Sequence, residues 1–255
     1  MSFLDEDTIL KTIPINTFSI QSGQIESFAS CSILDYLDKH IVVTVAHCTN
    51  EERIIGINLE AYQGKPNIVF FTPYPVKKLQ VTDFAKKRKW IYKLFHKKYK
   101  NLSEAFEKCP DQYDLIYSDI PKDIIPKHND IHSCLFNRNK KITPIQFPIS
   151  ISKKSVYKFY GMRFVGFYMG QILMEDVYIN DLKFIQKKGD YLFFKTEKKF
   201  DNPINGCSGA PILDEDGKIV SMVIAQNGNI ITGLELNLLK AIFDASYNEA
   251  MYEKK

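Results

Sequence analysis

An all-β fold class is predicted for this chain, and three observations carry the prediction. Short runs rich in β-branched and aromatic residues recur along most of its length, with Gly, Pro, Asn and Asp between them. Hydrophobic residues make up 45% of the 255 positions, enough to fill a genuine core or two small ones. The strand-like runs are numerous enough for two β-barrels.

In chain order the runs are 15–20, 28–34, 41–46, 54–62, 67–71 and 113–117, then 155–159, 171–178, 191–196, 210–213, 218–224 and 229–233. Asp214-Glu215-Asp216-Gly217 reads as a tight turn between two of them. Two stretches follow a helical period instead. In 83–107, Trp90, Leu94, Phe95 and Tyr99 form an apolar stripe among Lys86, Lys87, Arg88, Lys89, Lys93, Lys97, Lys98 and Lys100. That pattern predicts one amphipathic helix or two short ones with a basic face. In 234–252, Leu236, Leu239, Ile242, Phe243 and Tyr247 predict a closing helix. Pro126, Pro144 and Pro148 mark a linker. The expected division is therefore 1–125 as an N-terminal barrel, 126–148 as a linker, 149–233 as a C-terminal barrel and 234–255 as the helix.

The net charge of +4 is mild and concentrated in 83–107. A basic face with aromatic anchors suits an acidic protein partner or an anionic surface, and nucleic acid is the less favoured ligand. The plain alternative is a solvated helix whose stripe packs on the barrel. The acidic start, Met1-Ser2-Phe3-Leu4-Asp5-Glu6-Asp7, lacks the basic and apolar regions of a secretory leader, and no charge-free window reaches membrane-spanning length. The expectation is a cytoplasmic protein with no transmembrane segment. Five cysteines form no C-x-x-C pair, which argues against a zinc ribbon and a complete disulfide framework. His128, His132 and Cys134 lack a fourth ligand and read as a polar loop, so neither a metal nor any other cofactor is expected.

The chemistry sits elsewhere. The apolar, β-branched run 41–46 ends in His47, a rigid place for a proton-accepting imidazole. Far downstream, Gly206-Cys207-Ser208-Gly209 sets a hydroxyl in a turn whose N–H groups can face a developing oxyanion. Together they suit nucleophilic acyl transfer.

The two stretches, Thr44-Val45-Ala46-His47-Cys48 and Gly206-Cys207-Ser208-Gly209-Ala210-Pro211, resemble the chymotrypsin-like (trypsin-like) serine proteases. Their motifs in that family are Thr-Ala-Ala-His-Cys and Gly-Asp-Ser-Gly-Gly-Pro. The family order, His then Asp then Ser, calls for an acid between them at the head of a hydrophobic strand. Tyr113-Asp114-Leu115-Ile116-Tyr117 supplies it. Asp111 lies outside the apolar run, while Asp119 and Asp123 flank Pro121 and read as turn residues.

The resemblance implies two six-stranded barrels with the site in the crevice between them, and, because the chain between His47 and Asp114 is longer than in compact members, it makes the basic helical stretch 83–107 an insertion in the first barrel. It implies a serine endopeptidase with His47, Asp114 and Ser208 as catalytic residues and the Gly206 and Ser208 amides as oxyanion hole. Cys207 is then a small buried neighbour of the nucleophile. Ala210 replaces the family's second glycine after the serine, a small departure. Asn202 falls at the base of the specificity pocket and Ile224, Ala225 and Gln226 along its wall, which implies small or medium uncharged P1 residues. Substrates would be proteins or peptides. Secreted members bridge the cysteine after the histidine to one upstream, which makes Cys31 and Cys48 a candidate pair that stays reduced in a reducing compartment. Digestive zymogens carry an Asp before the nucleophile to receive a freed amino terminus; Cys207 stands there, so no such activation is expected. The competing readings are an idle protease fold used as a binding module through the basic helix, and an esterase on the same scaffold.

Overall fold

The computed structural model describes residues 5–37, 39–48, 53–62, 65–71, 74–77, 112–120, 122, 143–145, 151–152, 154–168, 171–236 and 243. Among them a short helix, α1 (Glu6–Ile9), precedes β1 (Ile13–Ser19), β2 (Ile25–Tyr36), β3 (Lys39–Thr44), β4 (Arg53–Tyr62), β5 (Lys65–Phe71), β6 (Tyr74–Lys77) and β7 (Gln112–Ile120). These strands form one seven-stranded antiparallel sheet in the order β5-β4-β1-β2-β3-β7-β6. The second half contributes β8 (Val156–Tyr168), β9 (Gln171–Lys188), β10 (Tyr191–Lys195), β11 (Pro211–Leu213), β12 (Ile219–Asn227) and β13 (Ile230–Glu235). They close into a six-stranded barrel in the order β10-β13-β12-β11-β8-β9.

Each unit has its own core. Alternation in β1 turns Ile13 and Ile15 inward, where they meet Ala29, Cys31 and Ile33 of β2 and Val42 of β3. In the barrel, Phe159, Leu182, Phe194, Ile212, Val220 and Ile231 fill the interior. Phe243, beyond the barrel in sequence, is buried with its ring edge-on to Tyr117 at 4.8 Å and beside Tyr36 at 5.6 Å. Phe243 thereby lies against the first sheet.

Sequence and structure differ at definite places. The first unit is a half-barrel sheet rather than a closed six-stranded barrel, since β5 and β6 do not pair with each other among the described residues. Both carry a proline, Pro66 and Pro75, which cannot donate to a ladder and suits edge strands. β8 and β9 run far past 155–159 and 171–178 as one long hairpin. Gly161 is a strand residue of β8 whose missing side chain admits the Cys207 thiol. α1 was not expected, although its cap is legible: Asp5 accepts from the Asp7 amide at 3.1 Å and from the Thr8 hydroxyl at 2.8 Å. The Asp214–Gly217 turn is present, with Gly217 N–H donating to the Asp214 carbonyl at 3.1 Å. The basic insertion 83–107, most of the linker 126–148 and the helix expected in 234–255, Phe243 apart, lie outside the described residues. Among the described residues no helix is long and apolar enough to cross a membrane.

At Gly161 a Cβ would lie 2.8 Å from the Cys207 sulfur. Gly161→Ala should therefore cost about 1–3 kcal/mol through overpacking, read by denaturant unfolding. Adding Cys207→Ala should return part of that loss, because the sulfur is the nearest clashing atom. Equal destabilisation with and without the sulfur would contradict this packing.

Candidate active site

β3 ends at Thr44, and the chain turns at once through a single 3-10 turn, Ala46–Cys48. Cys48 is buried in the first core, while His47 stands half exposed at the sheet end. β7 lies beside β3 with Ile116 opposite Thr44, so Asp114, two residues earlier on β7, reaches the same end. Its carboxylate holds the histidine twice, accepting from the His47 backbone N–H at 2.8 Å and pairing with the ring Nδ1 at 2.7 Å. That leaves Nε2 facing away from the carboxylate.

The electrostatics follow from these bonds. The hydrogen bond to Asp114 is the largest influence on His47, with the adjacent Cys48 sulfur adding to it, and they carry the imidazole to about 10 against partial burial. Burial pushes the Asp114 carboxyl up, but the bonds from the His47 ring and amide outweigh it and leave the group below its ordinary value. Asp119, a competing acid in the sequence, is instead paired with Lys39 at 2.9 Å. Asp111 and Asp123 lie outside the described residues.

The Ser208 loop comes from the other unit. Gly209 N–H donates to the Val223 carbonyl at 2.7 Å, and Ala210 N–H donates to that of Cys207 at 2.9 Å. Gly206 and Gly209 hold φ of 101° and 88°, which side-chain-bearing residues rarely adopt. The loop is fastened across to the first sheet: Ser30 N–H of β2 donates to the Ser208 carbonyl at 2.8 Å, and the Ser30 hydroxyl donates to the Gly206 carbonyl at 3.0 Å. Thr44 Oγ1 donates to the Ser30 carbonyl at 2.6 Å from the residue that ends β3. A Cβ on Gly209 would collide with that same Ser30 carbonyl and with Thr44 Oγ1.

His47 and Asp114 are thus brought together directly, and the Ser208 loop is bonded to the sheet that carries them. Ser208 Oγ itself, and the Gly206 and Ser208 amides, have no hydrogen-bond partner among the described residues. Cys207 is wholly buried and its thiol is pushed up to about 12 by that burial, so it has no nucleophilic character at neutral pH. Asn202 is exposed, as is its neighbour Asp201. Ile224 packs beside Ala46 against the first core, while Ala225 is exposed. Gln226 is a bridge: its Oε1 accepts from Ile204 N–H at 3.0 Å and its Nε2 donates to the Gly228 carbonyl at 2.9 Å. Cys31 and Cys48 are free buried thiols rather than a disulfide. Among the described residues no three His, Cys, Asp or Glu side chains gather as metal ligands, and His128, His132 and Cys134 lie outside that set. Ser30 and Thr44 were missed by the sequence reading, because a serine and a threonine in strands carry no local signal of what they meet.

No protein-family model matches the chain, and no curated protein matches it in sequence. Solved structures do match. Human heparin binding protein superposes with a TM-score of 0.54 at 9% identity, covering 96% of this chain and 94% of its own. A thermostable serine protease, AL20, from an extremophilic microorganism superposes with a TM-score of 0.53 at 10% identity, covering 94% and 98%. The fold is chymotrypsin-like. One neighbour is named for binding and the other for proteolysis, so function has to be argued from the site.

The pKa shifts fix a sign. Raised above its ordinary 6.5, His47 contributes stability that is complete below that value and is lost as pH rises through about 10. Lowered Asp114 contributes stability that is present above its ordinary 3.8 and is lost as pH falls through its depressed value. NMR titration should find the His47 midpoint well above 6.5 in the wild type and moved down in Asp114→Asn. A wild-type midpoint at the ordinary histidine value would contradict the pair.

Proposed function

We propose that this protein is a serine endopeptidase working through Ser208, His47 and Asp114. The observation that carries the reading is the Asp114-held imidazole, with Nε2 turned outward, on the sheet to which the Ser208 loop is fastened through Ser30. Three separate chain segments supply what acyl transfer needs. In apo sites the bond between base and nucleophile is often not formed, and Ser208 Oγ fits that description.

In the reaction, neutral His47 takes the Ser208 proton on Nε2 as Oγ attacks the scissile carbonyl carbon. The carbonyl electrons move to its oxygen, and the resulting oxyanion is met by the Gly206 and Ser208 amides. Collapse expels the amine, which leaves with the proton from His47, and water then hydrolyses the acyl-enzyme by the same steps. Asp114 holds the tautomer and stabilises the imidazolium. Because Asp114 raises the affinity of the imidazole for a proton, turnover should rise with pH as His47 loses that proton.

The specificity reading is of small or medium uncharged P1 residues. Gln226, on the expected pocket wall, is held by the Ile204 amide and the Gly228 carbonyl, which supports a side chain that narrows that pocket. Protein or peptide substrates follow from the chemistry. We also propose a reducing, intracellular setting, supported by three buried free thiols.

A fluorophosphonate should label wild-type protein at Ser208, and Ser208→Ala should abolish both labelling and peptide turnover. Asp114→Asn should lower kcat about 10³–10⁴-fold through loss of the correct tautomer, whereas Asp119→Asn should change it little. Folded wild type that neither labels nor cleaves a peptide library would remove the protease reading and leave the binding module. Ester turnover without amide turnover would instead identify an esterase.

Gln226→Gly should open the P1 site, raising kcat/KM for large apolar P1 residues relative to alanine at P1 by about tenfold or more. An unchanged cleavage profile would remove Gln226 from the pocket.

A further inference from the structure

The N-terminal segment is fastened to the strand that supports the Ser208 loop from outside. Ile9, at the end of α1, is fully buried against Tyr160 and Met162 of β8, with Met174 and Tyr178 of β9 at the margin. Polar contacts bracket that packing. Asp5 meets Lys158 Nζ at 2.5 Å, the Thr12 hydroxyl donates to the Tyr160 carbonyl at 3.0 Å, and the Leu10 carbonyl accepts from Thr143 N–H at 2.7 Å. Lys11, itself almost buried, pairs with Asp7 over Gly217, where a Cβ would strike its ammonium.

β8 alternates at this point. Phe159 and Gly161 face the barrel interior, and Tyr160 and Met162 face outward under Ile9. The same few residues of β8 hold the loop before Ser208. Gly161 lies against Cys207, the Phe164 amide donates to the Asn205 carbonyl at 3.1 Å, and the Met162 carbonyl stands 2.6 Å from where a Gly206 Cβ would be. So α1 packs on the outside of the backbone segment whose carbonyl and amide set the course of 205–207. Gly206 needs such support, because its amide direction depends on a φ of 101° that a glycine leaves freely.

We propose that α1 is a positioning element for the oxyanion hole: Ile9, by packing on Met162, holds β8 where its main chain keeps the Gly206 amide turned to the reacting carbonyl. The inference rests on the serine-protease reading. It gives the N-terminal segment a sense opposite to that of a zymogen peptide. Detaching α1, by cleavage before β1 or by a partner that captures it, turns the activity down.

The test uses the full chain with Ile9→Ala, Ile9→Leu and Thr12→Val, and Ile185→Ser on the exposed outer face of β9 as control. Assays are run where circular dichroism shows each variant folded. Ile9→Ala should lower kcat about tenfold or more with KM within about twofold, a fraction of the loss from deleting an oxyanion donor. Its affinity for a peptidyl trifluoromethyl ketone, whose adduct carries the oxyanion, should fall in proportion. Ile9→Leu should restore most of the rate, and Ile185→Ser should match wild type. Unchanged kcat in folded Ile9→Ala, with only Tm lowered, overturns the inference while labelled wild type leaves the protease reading standing. Should Ile9→Ala fail to fold, Thr12→Val decides: a lowered kcat at unchanged KM supports the positioning role, and wild-type kcat overturns it. Wild type that is never labelled at Ser208 overturns both.

Discussion

Ser30 lies where two separately packed units have to agree on the position of one loop. His47 and Asp114 belong to the first sheet, Ser208 belongs to the barrel, and the proposed acyl transfer would tolerate little error in how they meet. The Ser30 amide and hydroxyl hold the Ser208 and Gly206 carbonyls from β2, and the Thr44 hydroxyl fixes the Ser30 carbonyl from β3. The approach is main chain against main chain. It exists because Gly209 has no side chain at the point where one would meet Ser30 and Thr44. Ile224 and Ala46 close apolar surface alongside, both packed on the first core.

Within that frame the two reactive-looking residues of the loop are separated by burial alone. Cys207 turns into the barrel against Gly161 and loses any thiolate character, while Ser208 stays partly open. His47 is also left partly open, and its charge is governed by a specific partner rather than by depth. The carboxylate that orients the ring also favours its protonated form. Orientation and basicity are therefore coupled in one contact, and a change at Asp114 alters both.

β8 is the shared wall. Its inner face accepts Cys207, its main chain meets Asn205 and Gly206, and its outer face carries Tyr160 and Met162 under α1. Farther along, Phe164 stacks on Phe28 of β2 at 5.2 Å, a second bridge between the units beside the Ser30 contact. A strand in contact with the loop, the first sheet and the N-terminal segment cannot shift at one of them without loading the others.

The sequence by itself determined the all-β class, most strand positions and the placement of His47, Asp114 and Ser208 at a strand end, a strand head and a glycine turn. These are local features, written in side-chain alternation and in the conformations that glycine permits. It did not determine the extent of β8, which runs on through Gly161, where the Cys207 thiol fills the space a side chain would take. Nor did it determine that the first unit forms an open sheet among the described residues rather than the closed barrel expected, with Pro66 and Pro75 on its edge strands. The tertiary structure alone decided that Ser30 fastens a loop 176 residues away, that Gln226 spans two main-chain segments and that Ile9 lies behind Met162. Such contacts depend on how two cores pack and approach each other, and a strand serine, a half-buried glutamine or a buried isoleucine has the same local pattern whatever lies across from it.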